Sequence, residues 1–167
     1  MAVIDVGSEV KDRASQFIAG YTVIDIANPA NDTGVLDTFE IWLVSANTGG
    51  VKVGTFSYSS PNATNRDFEN LGAVTNGSKQ TFTGKNCDVS SGDLIGVYLV
   101  SNGAIERDIT GYSGTYYVVS DIFGAGASSV TLVADDAISI YATGATVAAG
   151  SLPLKNVFGR PFSGVFR

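Results

Sequence analysis

The sequence predicts an all-β protein: an antiparallel, jelly-roll-like β-sandwich followed by an extended C-terminal arm. Three observations carry this reading. Short runs of β-branched and aromatic residues recur along the chain. Turn segments rich in Gly, Asn, Asp and Ser separate them at about 8–15-residue spacing, the rhythm of a sandwich or barrel. Helical periodicity is nearly absent.

The expected strands are AVIDV (2–6), YTVIDIAN (21–28), TFEIWLVS (38–45), VKVGTFSY (51–58), SKQTFTG (78–84), DLIGVYLV (93–100), GAIERDI (103–109), TYYVVSDIF (115–123), SSVTLVA (128–134) and AISIYAT (137–143). The separators include PANDTG, SANTGG, SSPNATN, TNGS, SSGD, TGYSG, GAGASS and ADD. Their Gly and Asn residues supply the positive φ angles of tight turns. EVKDRASQFIAG (9–20) is the best helical candidate, since Val10, Ala14 and Phe17 fall at helical spacing; a loop fits it as well. At 167 residues the chain suits one domain. The expected division is a sandwich over 1–149 and an arm over 150–167, the boundary lying in the small-residue stretch TGATVAAGSL (143–152).

Strand faces add a second expectation. Phe39, Ile41 and Leu43 alternate as a core face, yet Trp42 and Val44 on the opposite face are also apolar. Ile95, Val97 and Leu99 are likewise opposed by Leu94, Tyr98 and Val100, and Tyr116, Val118 and Ile122 by Tyr117, Val119 and Phe123. Apolar residues on both faces of a sheet call for a cover. Burial by another chain is the favoured cover, and a loop or the tail folding back is the alternative.

Charge divides the chain. Residues 1–149 carry 7 basic and 16 acidic side chains, a net −9; residues 150–167 carry 3 and 0, a net +3. An acidic body repels nucleic acid and anionic lipid, so neither is an expected partner. The segment LPLKNVFGRPFSGVFR places Lys155, Phe158, Arg160, Phe162, Phe166 and Arg167 among Gly159, Pro161 and Gly164, which break a helix. Aromatic anchors interleaved with guanidinium groups suit docking on an acidic neighbour. With Trp42, these six residues are the expected partner-binding set.

Chemistry is sparse. The chain has no histidine and one cysteine, Cys87, so the usual general base, the usual zinc ligand and an intrachain disulfide are all missing. GYSG (111–114) lacks the following helix of a nucleophile elbow and reads as a turn. Cys87 reads as a small buried hydrophobe. The acid pairs Asp32/Asp37, Asp88/Asp93 and Asp135/Asp136 sit in expected turns, where carboxylates cap and solubilise. No enzymatic activity and no cofactor are therefore expected. Calcium is the one metal considered, with Asn31, Asp32, Asp135 and Asp136 as candidate oxygen ligands. Tyr58, Tyr112, Tyr116 and Trp42 are candidates for stacking on sugar rings. The three Asn-X-Ser/Thr sequons, at Asn31, Asn62 and Asn76, read as chance in an Asn- and Thr-rich chain.

Two blocks, residues 3–43 and 82–108, carry an Ile-Asp start, an Asn-Pro-Ala-Asn-x-Thr-Gly turn, an Glu-Ile-Trp strand, Ser-Gly-Asp leading into Ile-Gly-Val-Tyr, and Ile-Glu-Arg-Asp. They resemble a β-sandwich module of bacteriophage and metagenomic viral proteins, over residues 3 to about 120. The resemblance is structural and implies a virion or surface module without transferring any active-site residue. The expected role is a non-enzymatic virion component, a capsid decoration, minor capsid or tail-associated protein. Its expected partners are further copies of itself or a major capsid or tail protein. A carbohydrate-binding or adhesive module for receptor attachment is the alternative. The N-terminus MAVIDVGSEVKDR shows no basic region followed by an apolar run, so synthesis in the host cytoplasm and residence in the virion are expected.

Overall fold

The computed structural model describes residues 2–147, and every regular element in it is a strand. The strands are β1 (Val3–Gly7), β2 (Ser15–Ile18), β3 (Thr22–Asp25), β4 (Gly34–Ser45), β5 (Asn47–Ser59), β6 (Asn62–Val74), β7 (Lys79–Phe82), β8 (Cys87–Val89), β9 (Leu94–Leu99), β10 (Ala104–Val118), β11 (Ser128–Ser129), β12 (Thr131–Ile138) and β13 (Ile140–Thr146). The expected arm and the domain boundary at 149 lie outside the described residues.

One layer runs β1–β13–β4, with β7 and β8 paired along the far side of β4. The other runs β10–β3–β9–β5–β6–β11, with β2 and β12 also on β10. All pairings are antiparallel, and the layers join where Leu43 and Ser45 of β4 meet Ile105 and Ala104 of β10. The result is the predicted all-β sandwich, not closed into a barrel. Its core sets Ile4, Val6, Leu36, Phe39, Ile41, Leu43 and Ile140 against Val51, Val53, Ile95, Val97, Leu99 and Ile105. The alternation read from TFEIWLVS is observed: Phe39, Ile41 and Leu43 are fully buried, while Trp42 is half-buried and Val44 exposed.

Three local expectations are corrected. The segment 9–20 holds no helix. It runs through an irregular loop into β2, because Phe17 buries when SQFI pairs with residues 104–107 of β10. GYSG is not a turn between two strands but the middle of the fifteen-residue β10. Register shifts on either side of Tyr112, with Gly111 and Gly114 at positive φ, let one long strand bend and serve both β2 and β3. The acid pair 135–136 lies inside β12, with Asp135 at φ 63° opposite Tyr112 at the bulge.

The outer face of β3–β9–β5 is covered by this chain itself, against the expectation that another chain buries it. The connection from Val119 to Val130 lays Ile122, Phe123 and Val130 on Ile24, Phe56, Leu94 and Ala63, forming a second small core. Phe123 meets Phe56 and Phe68 edge-on, with ring centres 5.1 and 5.7 Å away. Polar ties fix the connection: Thr22 Oγ1 donates to Ser120 O at 2.7 Å, and the Gly124 amide donates to Asn65 Oδ1 at 2.8 Å.

The free edge of β1 is also closed. The Asn31 side chain accepts the Asp5 amide at 3.1 Å and donates to Val3 O at 3.3 Å, while the Gly7 amide donates to Asn28 O at 2.9 Å. One side-chain amide thereby does what a neighbouring strand would do, and removes a template for edge pairing.

Candidate functional site

The short strand β2 forms a ledge with an open groove on each side. The loop leading into it is held by Arg13, whose side chain is almost wholly buried. Its Nε donates to Ser139 Oγ at 2.7 Å, one terminal nitrogen to Asp108 Oδ2 at 2.8 Å, and the other to Glu9 O at 2.7 Å. The Arg13 amide donates to Glu106 Oε2 at 2.9 Å. A buried guanidinium with this many partners fixes the backbone around it.

The first groove, about 530 Å³, is lined by Gln16, Phe17, Ile18, Tyr21, Arg107, Tyr117, Val119 and Val133. Three aromatic rings form its floor, with centres 5.9–6.3 Å apart around Phe17, Tyr21 and Tyr117. Arg107 caps Phe17, its guanidinium carbon 4.1 Å from the ring centre. Ile18 and Val119 stand on the rim, 55% and 67% exposed. The second groove, about 380 Å³, lies across the ledge and is lined by Asp12, Arg13, Ala14, Ser15, Gln16, Val44 and Glu106. One groove is apolar and the other carries carboxylates.

Behind the ledge lies a set of buried charges. Arg107 Nε donates to Asp136 Oδ2 at 2.8 Å, and Thr115 Oγ1 donates to the same oxygen at 3.1 Å. Asp136 is fully buried, and its other oxygen has no hydrogen-bond partner among the described residues. Burial raises the pKa of Asp25, opposed by the amides of Ala27 and Ile138 that donate to it. Burial also raises that of Glu106, against the pull of the Arg13 amide. At Asp108 burial acts in the same direction but is outweighed by the Ala14 amide and the Arg13 guanidinium, so its carboxyl sits below the usual range. These groups hold structure. Each of these carboxylates is engaged by protein donors.

Of the site residues expected from the sequence, Asp136 lies behind the ledge, and none among the described residues lines either groove. The partner-binding residues Lys155, Phe158, Arg160, Phe162, Phe166 and Arg167 lie outside the described residues. Trp42 faces away from the core opposite Lys79 of β7, two residues along the strand from Val44 of the second groove. The calcium candidates do not converge. Asn31 is spent on the edge of β1, Asp32 accepts the Thr33 amide at 2.7 Å, Asp135 is exposed, and Asp136 faces inward to Arg107. Among the described residues, no group of three or more His, Cys, Asp or Glu side chains is placed to hold a metal. Tyr58 and Tyr116 stack on each other at 4.2 Å, and Tyr112 is covered by Lys11 and Arg13. Cys87 is fully buried, and burial pushes its thiol up to about 12.

The groove aromatics Phe17, Tyr21 and Tyr117 were not among the candidates read from the sequence. Phe17 lies in a segment whose sequence fits a helical turn or a loop equally, and the bend of β10 brings Tyr117 beside it. Comparison with protein-family models, with curated proteins and with solved structures gives no match for this chain.

Proposed function

We propose that this chain is a non-catalytic structural module that works by binding a neighbouring protein chain in a larger particle, with the β2 ledge as its contact surface. The observation that carries this reading is the first groove. The outer sheet face is covered by the chain's own 119–130 connection, whereas the groove keeps aromatic walls and an exposed apolar rim of Ile18 and Val119. A pocket of this kind beside carboxylates accepts an aromatic anchor flanked by cations. The segment 150–167 has that composition, and we assign it the role of docking arm. The resemblance noted above supports a virion as the particle, with the chain as a capsid decoration or tail-associated component. Sedimentation velocity of the purified chain across a concentration series tests the reading. Concentration-dependent species larger than one copy, or co-sedimentation with a purified particle, support it; a lone monomer that joins no particle overturns it.

A glycan-binding reading has one observation of its own. Three rings, Arg107 and Gln16 share one open groove, and apolar sugar faces pack on aromatic side chains. Glycan-array binding that disappears in Tyr21→Ala would favour it over assembly.

A further inference from the structure

We infer that the first groove is the seat of segment 150–167 from another copy of this chain, so that copies join pole to pole in a heterologous contact. The inference rests on the assembly reading above and adds to it the seat, the occupant and the geometry of the joint.

Strand register supplies the geometry. At one end of β4, Gly34 pairs with Thr146, the last residue of β13, so the chain beyond Val147 departs from that pole. At the other end, Ser45 pairs with Ala104, which in turn pairs with Ile18 of the ledge. The twelve residues of β4 separate the two poles by about 37 Å at the usual strand rise. Phe158 follows Val147 by eleven residues, which span at most about 40 Å when fully extended. To reach its own groove, Phe158 would need a nearly straight run along the whole sandwich with only about 3 Å left for the turn. Phe162 and Phe166 have slack for either copy, so Phe158 is the anchor that separates the two cases. In a copy stacked on the departing pole, the same residue meets a groove at short range.

Charge and shape identify the occupant. Phe158, Phe162 and Phe166 match the apolar groove in chemistry, and Arg160 lies between the first two. Across the ledge, exposed Asp12 lines the neighbouring groove above the buried Glu106, and a cation from such a segment would sit against Asp12. A +3 segment also meets a −9 body. A contact between two different patches closes into a ring or extends as a filament, and it does not stop at a symmetric dimer.

Two full-length variants test this. The groove variant carries Ile18→Lys and Val119→Lys, both at exposed positions; the arm variant carries Phe158→Ser, Phe162→Ser and Phe166→Ser. The wild type is expected to form species beyond the dimer, each variant alone to be monomeric with an unchanged circular dichroism spectrum, and an equimolar mixture to form a one-to-one dimer and nothing larger. The mixture stops there because it holds one working arm and one working groove per pair. A peptide of residues 150–167 should bind the arm variant, and Ile18→Lys with Val119→Lys added to that variant should weaken it at least about tenfold. A groove variant that assembles like the wild type overturns the seat but leaves the assembly reading standing. A wild type that stays monomeric overturns both. A mixture that gives no dimer, or grows beyond one, overturns the pole-to-pole joint.

Discussion

Arg107 holds two faces of the molecule together by lying across Phe17. Its guanidinium carbon sits 4.1 Å from the Phe17 ring centre while Nε reaches inward to the fully buried Asp136. Replacing Arg107 with Met keeps most of the packing but leaves a buried carboxylate without its cation. Losing one partner of such a pair costs about 3–5 kcal/mol. Urea denaturation should show that loss for Arg107→Met, and much less for Arg107→Met combined with Asp136→Leu. Equal losses in the two would mean that the pair is not coupled.

Asn31→Ala opens the edge of β1. The site is exposed, so water replaces the lost bonds and stability should fall by no more than about 1 kcal/mol. The larger expected effect is new self-association through Val3–Gly7, visible in the arm variant as dimers absent before the substitution. An Asn31→Ala protein that remains monomeric would show that the edge is protected by something else.

The buried carboxylates set the pH dependence. Asp25 and Glu106 keep their protons to higher pH when folded than when unfolded. The folded state therefore binds more protons between the ordinary carboxylate range, about pH 4, and the raised values, and stability falls as pH rises through that window. Asp108 has the opposite sign: its contribution is present above its unfolded pKa and is lost as pH falls through the depressed folded value. Glu106→Gln retains an acceptor for the Arg13 amide and removes the charge. Denaturant midpoints measured against pH should fall less steeply above pH 4 in this variant, with a higher midpoint at neutral pH.

Cys87 should be inert in the native protein. A fully buried thiol whose pKa is pushed up to about 12 offers almost no thiolate at pH 8. Labelling with an aromatic disulfide reagent should proceed only at the rate of opening and rise sharply in denaturant. Stoichiometric labelling within seconds under native conditions would contradict this placement.

Gly7→Ala tests the closeness of β1 and β13. Gly7 has φ +96°, and a Cβ there would lie 2.5 Å from Ile140 O, a backbone atom that cannot turn aside. Strain of this kind costs about 1–3 kcal/mol, and denaturation melts should register it. An unchanged melting temperature would mean that the two strands can separate without cost.

Most of the fold was legible because its signals are local. Alternation in TFEIWLVS and the short apolar run DLIGVYLV, with Gly and Asn between such segments, are enough to place a two-layer β-protein. β6 was not foreseen: NATNRDFENLGAV is polar almost throughout, since it lies near the sheet edge and owes its form to ten residue pairings with β5. GYSG and ADD looked like turns because bulges use turn residues inside strands. The ledge was hidden for a different reason. Phe17, Tyr21, Arg107 and Tyr117 are far apart in sequence, and only the bending of β10 gathers them. Over β3, β9 and β5 the second apolar face is covered by the connection that carries Ile122 and Phe123, whereas Val44 and Val119 stay exposed. Composition cannot distinguish a cover supplied from within from one supplied by a neighbour.

That connection is pinned at both ends, by Ile122 and Phe123 on one side and Val130 on the other, while the four residues 124–127 between them stand exposed. Foreign sequence spliced between Ala125 and Gly126 would therefore project into solvent while the hydrophobic clasp beneath remained shut. The molecule thus provides a ready platform for displaying an inserted peptide.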